Sequence, residues 1–217
     1  MIIAILRTFF GGVTGMFAAV LGKGKNSSGG WAKGLNSLPI FIITIFVVYR
    51  VSINPEYRMP LLLLQVGVLV VLGIPQVFVL FRKKTQMVKK AEFVTAAAAS
   101  GASPPRLVGR HIFPQLRETF LLTFVHELIS TLNILGVLGV FNVFLGGTRF
   151  TPYPSMYHSI THEWAGLVGE ARGYLFSHEW VLFAPLSLYL VLLMAFHLLE
   201  SGLEDYYAKQ YRKVQFI

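Results

Sequence analysis

This chain predicts an all-α fold, a polytopic transmembrane helical bundle with about five spans in a single membrane domain over residues 1–217. Three observations carry that expectation. Hydrophobic residues supply 54% of the chain and charged ones 13%, with a mean hydropathy of +0.62, too apolar for a soluble domain of 217 residues. Five apolar segments recur between polar stretches, and roughly 20 helical residues cross about 30 Å of hydrocarbon. Basic residues gather in alternate connections, the asymmetry that cytoplasmic loops of membrane proteins display.

The first segment runs from about Ile2 to Leu21. Its Arg7 lies well inside the apolar run and no small-residue cleavage site precedes polar sequence, so it reads as a retained span and not as a signal peptide. The loop GKGKNSSGG, Gly22 to Gly30, misses the phosphate-binding spacing, because Lys25 is followed by Asn26 where Ser or Thr is needed. It reads as a cytoplasmic connection. The second segment, about Leu38 to Ile53, is short, begins at Pro39 and contains Arg50, whose charge must snorkel outward. The third extends from about Met59 to Phe81, the fourth from about Phe120 to Leu145, and the fifth from about Trp180 to Leu199. Alternation puts Met1 outside, a polar element at residues 87–114 inside, and the connection at residues 146–178, interrupted by Pro152 and Pro154, outside.

The charges test this order. Lys23, Lys25 and Lys33, then Arg82, Lys83, Lys84, Lys89, Lys90, Arg106, Arg110 and Arg117, then Lys209, Arg212 and Lys213 all fall on the cytoplasmic side. Arg50, Arg58, Arg149 and Arg172 fall outside. A net charge of +9 that alternates in this way fits membrane topology and the lipid bilayer, not a nucleic-acid surface. The chain has no cysteine, which excludes disulfides, thiolate metal sites and cysteine nucleophiles.

Residues Glu92 to Pro114, EFVTAAAASGASPPRLVGRHIFP, read as a docking element. Ala96 to Ala99 favour helix, Gly101 can take the left-handed conformation that ends one, and Ser103 before Pro104 supplies an N-cap and a first-turn proline for the next. A helical hairpin with small outward side chains lets another protein approach closely, while Arg106 and Arg110 hold it at the cytoplasmic surface. The segment resembles the EAA loop of binding-protein-dependent ABC importer permeases, and FVTAAAASGAS followed by RHIFP is most similar to the peptide/nickel group. Ala96, Ala97, Gly101, Ser103, Arg110, His111, Ile112 and Pro114 stand where that group's pattern puts them; Thr95 replaces the usual glutamate and Phe113 the usual leucine. EWAGLVGEARGYL, Glu163 to Leu175, is similar to the segment before the last span of the same group.

The resemblance implies a type I ABC importer permease fold, a coupling role for Thr95, Ala96, Ala97, Gly101, Ser103, Arg106, Arg110 and Pro114, and partners outside this chain. Those are a second permease subunit, two ABC ATPase subunits and an extracytoplasmic substrate-binding protein in a bacterial or archaeal cytoplasmic membrane, with peptides or a small solute such as nickel as cargo. It also implies one further span ahead of Ile2. No cofactor and no chemistry in this chain are expected.

Thr119, Thr123, His126, Ser130 and Asn133 lie at helical spacing along one stripe of the fourth span, with Glu127 and Thr131 beside it. Polar groups in lipid must face protein or a water-filled cavity, so Thr123, His126, Glu127, Ser130 and Asn133 are candidates to line a translocation pathway. Interhelical hydrogen bonding is the other reading. Gly136, Gly139, Gly146 and Gly147 serve close packing or a hinge. Three His-Glu pairs, at 126/127, 162/163 and 178/179, lack the spacing of a metal site. Trp164 and Trp180 beside two of them suit the membrane interface, and Glu163 to Leu175 suits a short amphipathic helix on the outer side. An intramembrane enzyme using His126 and Glu127 as an acid-base pair is the alternative function.

Overall fold

Apolar side chains without helix-breaking prolines make Ile2–Leu21 a single 20-residue helix, α1. The computed structural model describes residues 1–22, 40–53, 58–153 and 155–214; the loop expected at Gly22 to Gly30 therefore lies, beyond Gly22, outside the described residues. Helix α2 spans Ile40–Ser52, α3 Arg58–Val88, and α4 Glu92–Ala99. Helix α5 spans Pro104–Val140, with a π-helical stretch at Leu107–Ile112. A two-stranded antiparallel ribbon follows, β1 (Thr148–Pro152) and β2 (Ser155–Ser159), then α6 (Trp164–Ala171), a 3-10 turn at Arg172–Tyr174 and α7 (Glu179–Val214).

Helices α1, α3, α5 and α7 have the length and apolarity to cross a membrane. The second expected span is helical over the 13 residues of α2, about 20 Å at 1.5 Å per residue. Hydropathy located the other spans but not the helix ends. Helix α3 continues past Phe81 to Val88 and α7 past Leu199 to Val214, since polar sequence sustains a helix beyond the bilayer as readily as apolar sequence within it. Helix α5 begins at Pro104 instead of near Phe120 and stops at Val140 instead of Leu145, because Asn142, Gly146 and Gly147 all take positive φ.

The chain packs as two units. In the first (Met1–Leu38, Val70–Glu127, Gly202–Ile217), glycines bring α1 against α3. A Cβ on Gly11 would stand 2.6 Å from Val77 Cβ, and one on Gly15 2.7 Å from the Phe78 carbonyl oxygen, the small-xxx-small approach common between membrane helices. Met16, Val77, Phe81, Val94, Leu107, Val108, Ile112 and Leu116 form a buried apolar cluster there. The Lys89 ammonium donates to the carbonyls of Ala19 and Val20 at 3.3 and 3.2 Å, pairing the open carbonyl end of α1 with a positive charge.

In the second unit (Pro39–Leu69, Leu128–Ser201), the buried Gln65 amide is a hub. Its Nε2 donates to Ser52 Oγ at 3.3 Å and to the Phe144 carbonyl at 3.0 Å, and its Oε1 accepts from the Gly146 N–H at 2.6 Å. Glycine again permits backbone contact: a Cβ on Gly139 would lie 2.6 Å from the Ala165 carbonyl oxygen, and one on Gly169 2.4 Å from that of Gly139. Tyr189 sits against Gly136 and donates its hydroxyl proton to the Leu132 carbonyl at 2.5 Å.

Within the mostly helical fold, the connection at residues 146–178 carries a β ribbon that apolar length and helical spacing did not mark. Alternation in TRFTP and SMYHS puts Phe150 and Tyr157 on one face, their rings 5.0 Å apart, while Arg149 faces His158 across the ladder. Pro152 and Pro154 in the sequence suggest interruption only, yet Pro152 sits at the end of β1, where a missing N–H does no harm; Pro154 lies outside the described residues.

Candidate functional site

The docking element is a helical hairpin within the first unit. At the end of α4, Gly101 adopts φ +79°, its N–H donates to the Ala98 carbonyl at 3.1 Å and the Ala102 N–H to that of Ala97 at 3.1 Å. That pair of bonds is the Schellman pattern, closed by glycine because a side chain is strained at that φ. Ser103 precedes α5 in an extended conformation but makes no side-chain cap; its carbonyl instead accepts from Leu107 N–H at 2.9 Å. The π-helical stretch replaces a plain second helix, and its wider turn sets Leu107 and Ile112, five apart, both into the core.

Seen from solvent, Thr95, Ala96, Gly101, Ser103, Arg106, Arg110 and Pro114 are exposed, and Ala97 is half-buried against the apolar cluster. Val94, Leu107, Val108 and Ile112 anchor them from below. Thr95 Oγ1 donates to the Glu92 carbonyl at 2.8 Å, so its hydroxyl is engaged within α4. Glu92 is exposed in the first turn of the same helix, where a carboxylate opposes the helix dipole favourably.

The polar stripe of α5 divides between environments. Thr123 and Glu127 are buried, Ser130 is half-buried, and His126 and Asn133 are exposed. Glu127 Oε2 accepts from Arg7 Nη1 at 3.1 Å, with the two side chains 3% and 1% exposed. Arg7 reaches Glu127 across the surface of Gly73, where a Cβ would stand 2.1 Å from Arg7 Nε. The sequence showed both charges but not their partnership, since nothing local links residues 120 positions apart. Being neighbours on a helix, His126 and Glu127 point in directions about 100° apart; His126 is exposed and Glu127 is buried against Arg7.

The glycines beyond Asn133 serve contact and turning: Gly136 and Gly139 seat Tyr189 and Ala165, while Gly146 and Gly147 take φ +78° and +115°. Of the other His-Glu pairs, Glu163 stands at the N-cap position of α6 without a side-chain cap bond, and its carboxylate accepts from Leu145 N–H, Ser159 Oγ and Thr161 Oγ1 at 3.0, 2.7 and 2.6 Å. His178 is exposed immediately before α7, and Trp164 and Trp180 are both exposed, as interfacial residues are. The expected short helix between Glu163 and Leu175 is α6 with its 3-10 turn.

Helices of membrane-crossing length joined by an exposed helical hairpin define a multi-pass membrane component. Residues 11–206 match the model of the family described as binding-protein-dependent transport system inner membrane component, and the chain belongs to that family. The class is therefore that of transport-system membrane components. Three relatives are 22% identical over 223 residues, from Brucella suis biovar 1 (strain 1330), Brucella abortus biovar 1 (strain 9-941) and Brucella melitensis biotype 1 (strain 16M). Each is provisionally named a peptide transport system permease protein. The similarity covers 94% of this chain and 62% of each relative, so the chain spans under two thirds of their length.

Proposed function

We propose that this chain is a permease subunit of an ATP-driven type I ABC importer for peptides, in the cytoplasmic membrane of a bacterium or archaeon. The observation that carries the reading is the α4–α5 hairpin, a face of small exposed side chains around Gly101 set on a core shared with α1 and α3. Family membership supports transport, and the names of the Brucella relatives support peptides over nickel. The partners are a second permease subunit, two ATPase subunits that hydrolyse ATP, and a binding protein that delivers solute on the outer side. ATPase closure moves the hairpin, and the spans rock between outward and inward states. With Thr95 in the place of a glutamate, the ATPase contact here rests on Ala96, Gly101, Ser103, Arg106, Arg110 and Pro114. His126, Ser130 and Asn133 line the solute route with Thr123 behind them, while Glu127 holds Arg7.

The test is reconstitution of the assembled complex in proteoliposomes with a peptide-loaded binding protein. Peptide uptake should require ATP and the binding protein. An assembled complex whose ATP hydrolysis ignores the loaded binding protein would refute the reading.

A further inference from the structure

The face of the β ribbon opposite Phe150 and Tyr157 opens on a cavity of about 350 Å³, lined by Arg149, Thr151, His158, Ser159, Ile160 and His162. That volume lies in the range of small-molecule sites. The strand alternation that puts the two aromatic rings side by side on one face necessarily turns Arg149, Thr151 and His158 to the other.

The acidic and hydroxyl groups nearby are already engaged. His158 Nδ1 lies 2.7 Å from Glu170 Oε1, and its Nε2 lies 3.2 Å from Thr151 Oγ1. The second oxygen of Glu170 accepts from Ser159 N–H at 3.0 Å, and Glu163 is held by Leu145, Ser159 and Thr161. Both oxygens of Glu170 are therefore engaged, one by His158 and one by Ser159. The Arg149 side chain, directly opposite that of His158 in the ladder, makes no hydrogen bond or ion pair among the described residues. His162 stands at the same cavity with φ +52°, a left-handed conformation uncommon for a residue other than glycine, fixed by its N–H to Ser159 Oγ at 3.1 Å.

A guanidinium with five donors beside two imidazoles, with the local carboxylates committed elsewhere, is a site for a planar anion. We infer that this cavity binds a carboxylate, and specifically the terminal carboxylate of a small peptide, with Arg149 as its principal partner and His162 at its side. The choice of a peptide rests on the transport reading above; the carboxylate chemistry does not.

The chain has no native cysteine, so a single Ile160→Cys reports occupancy of the cavity through its alkylation rate. The assembled complex in nanodiscs is treated with a thiol reagent in the presence of Ala-Ala, Ala-Ala amide or acetate, and label on this chain is read by mass. Ala-Ala and acetate should slow alkylation, the amide should not, and Arg149→Gln should weaken protection about tenfold, the loss of one charge-assisted contact. Equilibrium dialysis of radiolabelled Ala-Ala against the complex without the reporter cysteine gives the same comparison. Equal protection by the amide, protection unchanged in Arg149→Gln, or no protection and no dialysis binding with either carboxylate overturns the inference. Protection without ATP-driven uptake would instead refute the importer reading and leave the site standing.

Discussion

Removing one partner of the Arg7–Glu127 pair should destabilise the first unit severely, and removing both should not. Both side chains are at most 3% exposed and their contact is 3.1 Å, so Arg7→Met leaves a buried carboxylate and Glu127→Leu a buried guanidinium. Each single change is expected to lose about 3–5 kcal/mol, between roughly two and four powers of ten in the folded population. The double variant replaces the pair by apolar side chains of similar volume and should lie within about 1 kcal/mol of the parent, giving a coupling energy of about 5 kcal/mol or more. Gly73→Ala offers an independent route, because its Cβ would stand 2.1 Å from Arg7 Nε and would push the guanidinium off its seat. It should mimic Arg7→Met and add little to it. Reversible denaturation in mixed micelles, followed by tryptophan fluorescence and by recovery of the assembled complex, measures all five variants, the combination of Gly73→Ala with Arg7→Met included. Single variants within about 0.5 kcal/mol of the parent, or full additivity of Gly73→Ala with Arg7→Met, would refute the reasoning.

Gly101→Val forces a β-branched residue into φ +79° with no steric neighbour within 4 Å, so its penalty is backbone strain alone, about 1–2 kcal/mol confined to the hairpin. Membrane insertion should persist while ATPase association or solute-stimulated hydrolysis falls in pull-down and turnover assays. Gln65→Met removes three hydrogen bonds and leaves the Gly146 N–H and Phe144 carbonyl without that partner. A loss of about 2–4 kcal/mol in the same denaturation assay is expected. His126→Leu should lower uptake per assembled complex with little change in stability, since His126 is exposed; unchanged uptake favours a packing role for the stripe. Single cysteines replacing Ser155 and Lys209 should differ in intact cells, the first reacting with an impermeant thiol reagent and the second not; equal rates would invert or break the topology.

The membrane class and the hairpin were legible because each has a local cause. Apolar length marks a span, and an alanine run followed by glycine, serine and proline marks a stop and a restart. Long-range contacts left no such trace. In the sequence Arg7 is a charge inside an apolar run and Glu127 lies beside a polar stripe, and only the packing of α1 against α5 pairs them. Gln65 sat unnoticed inside an apolar run, although a lone amide there has to find partners. The β ribbon had its signal in the alternation of TRFTP and SMYHS, masked in the sequence by Pro152 and Pro154. The π-helical stretch has a trace only in hindsight, in the spacing of five between Leu107 and Ile112.

Lys89 has a mechanical consequence. It lies between α3 and α4, and its two bonds to Ala19 and Val20 join the foot of α1 to the base of the hairpin through a side chain instead of through backbone. A side chain with four rotatable carbons follows small tilts without strain, but at 3.2 and 3.3 Å its donors are already near the outer limit of bonding. A displacement of about half an ångström takes them past it. The joint is therefore a shear pin: α1 moves with the hairpin through small excursions, and in a large one the pin lets go, water takes over the two carbonyls, and α1 keeps its place.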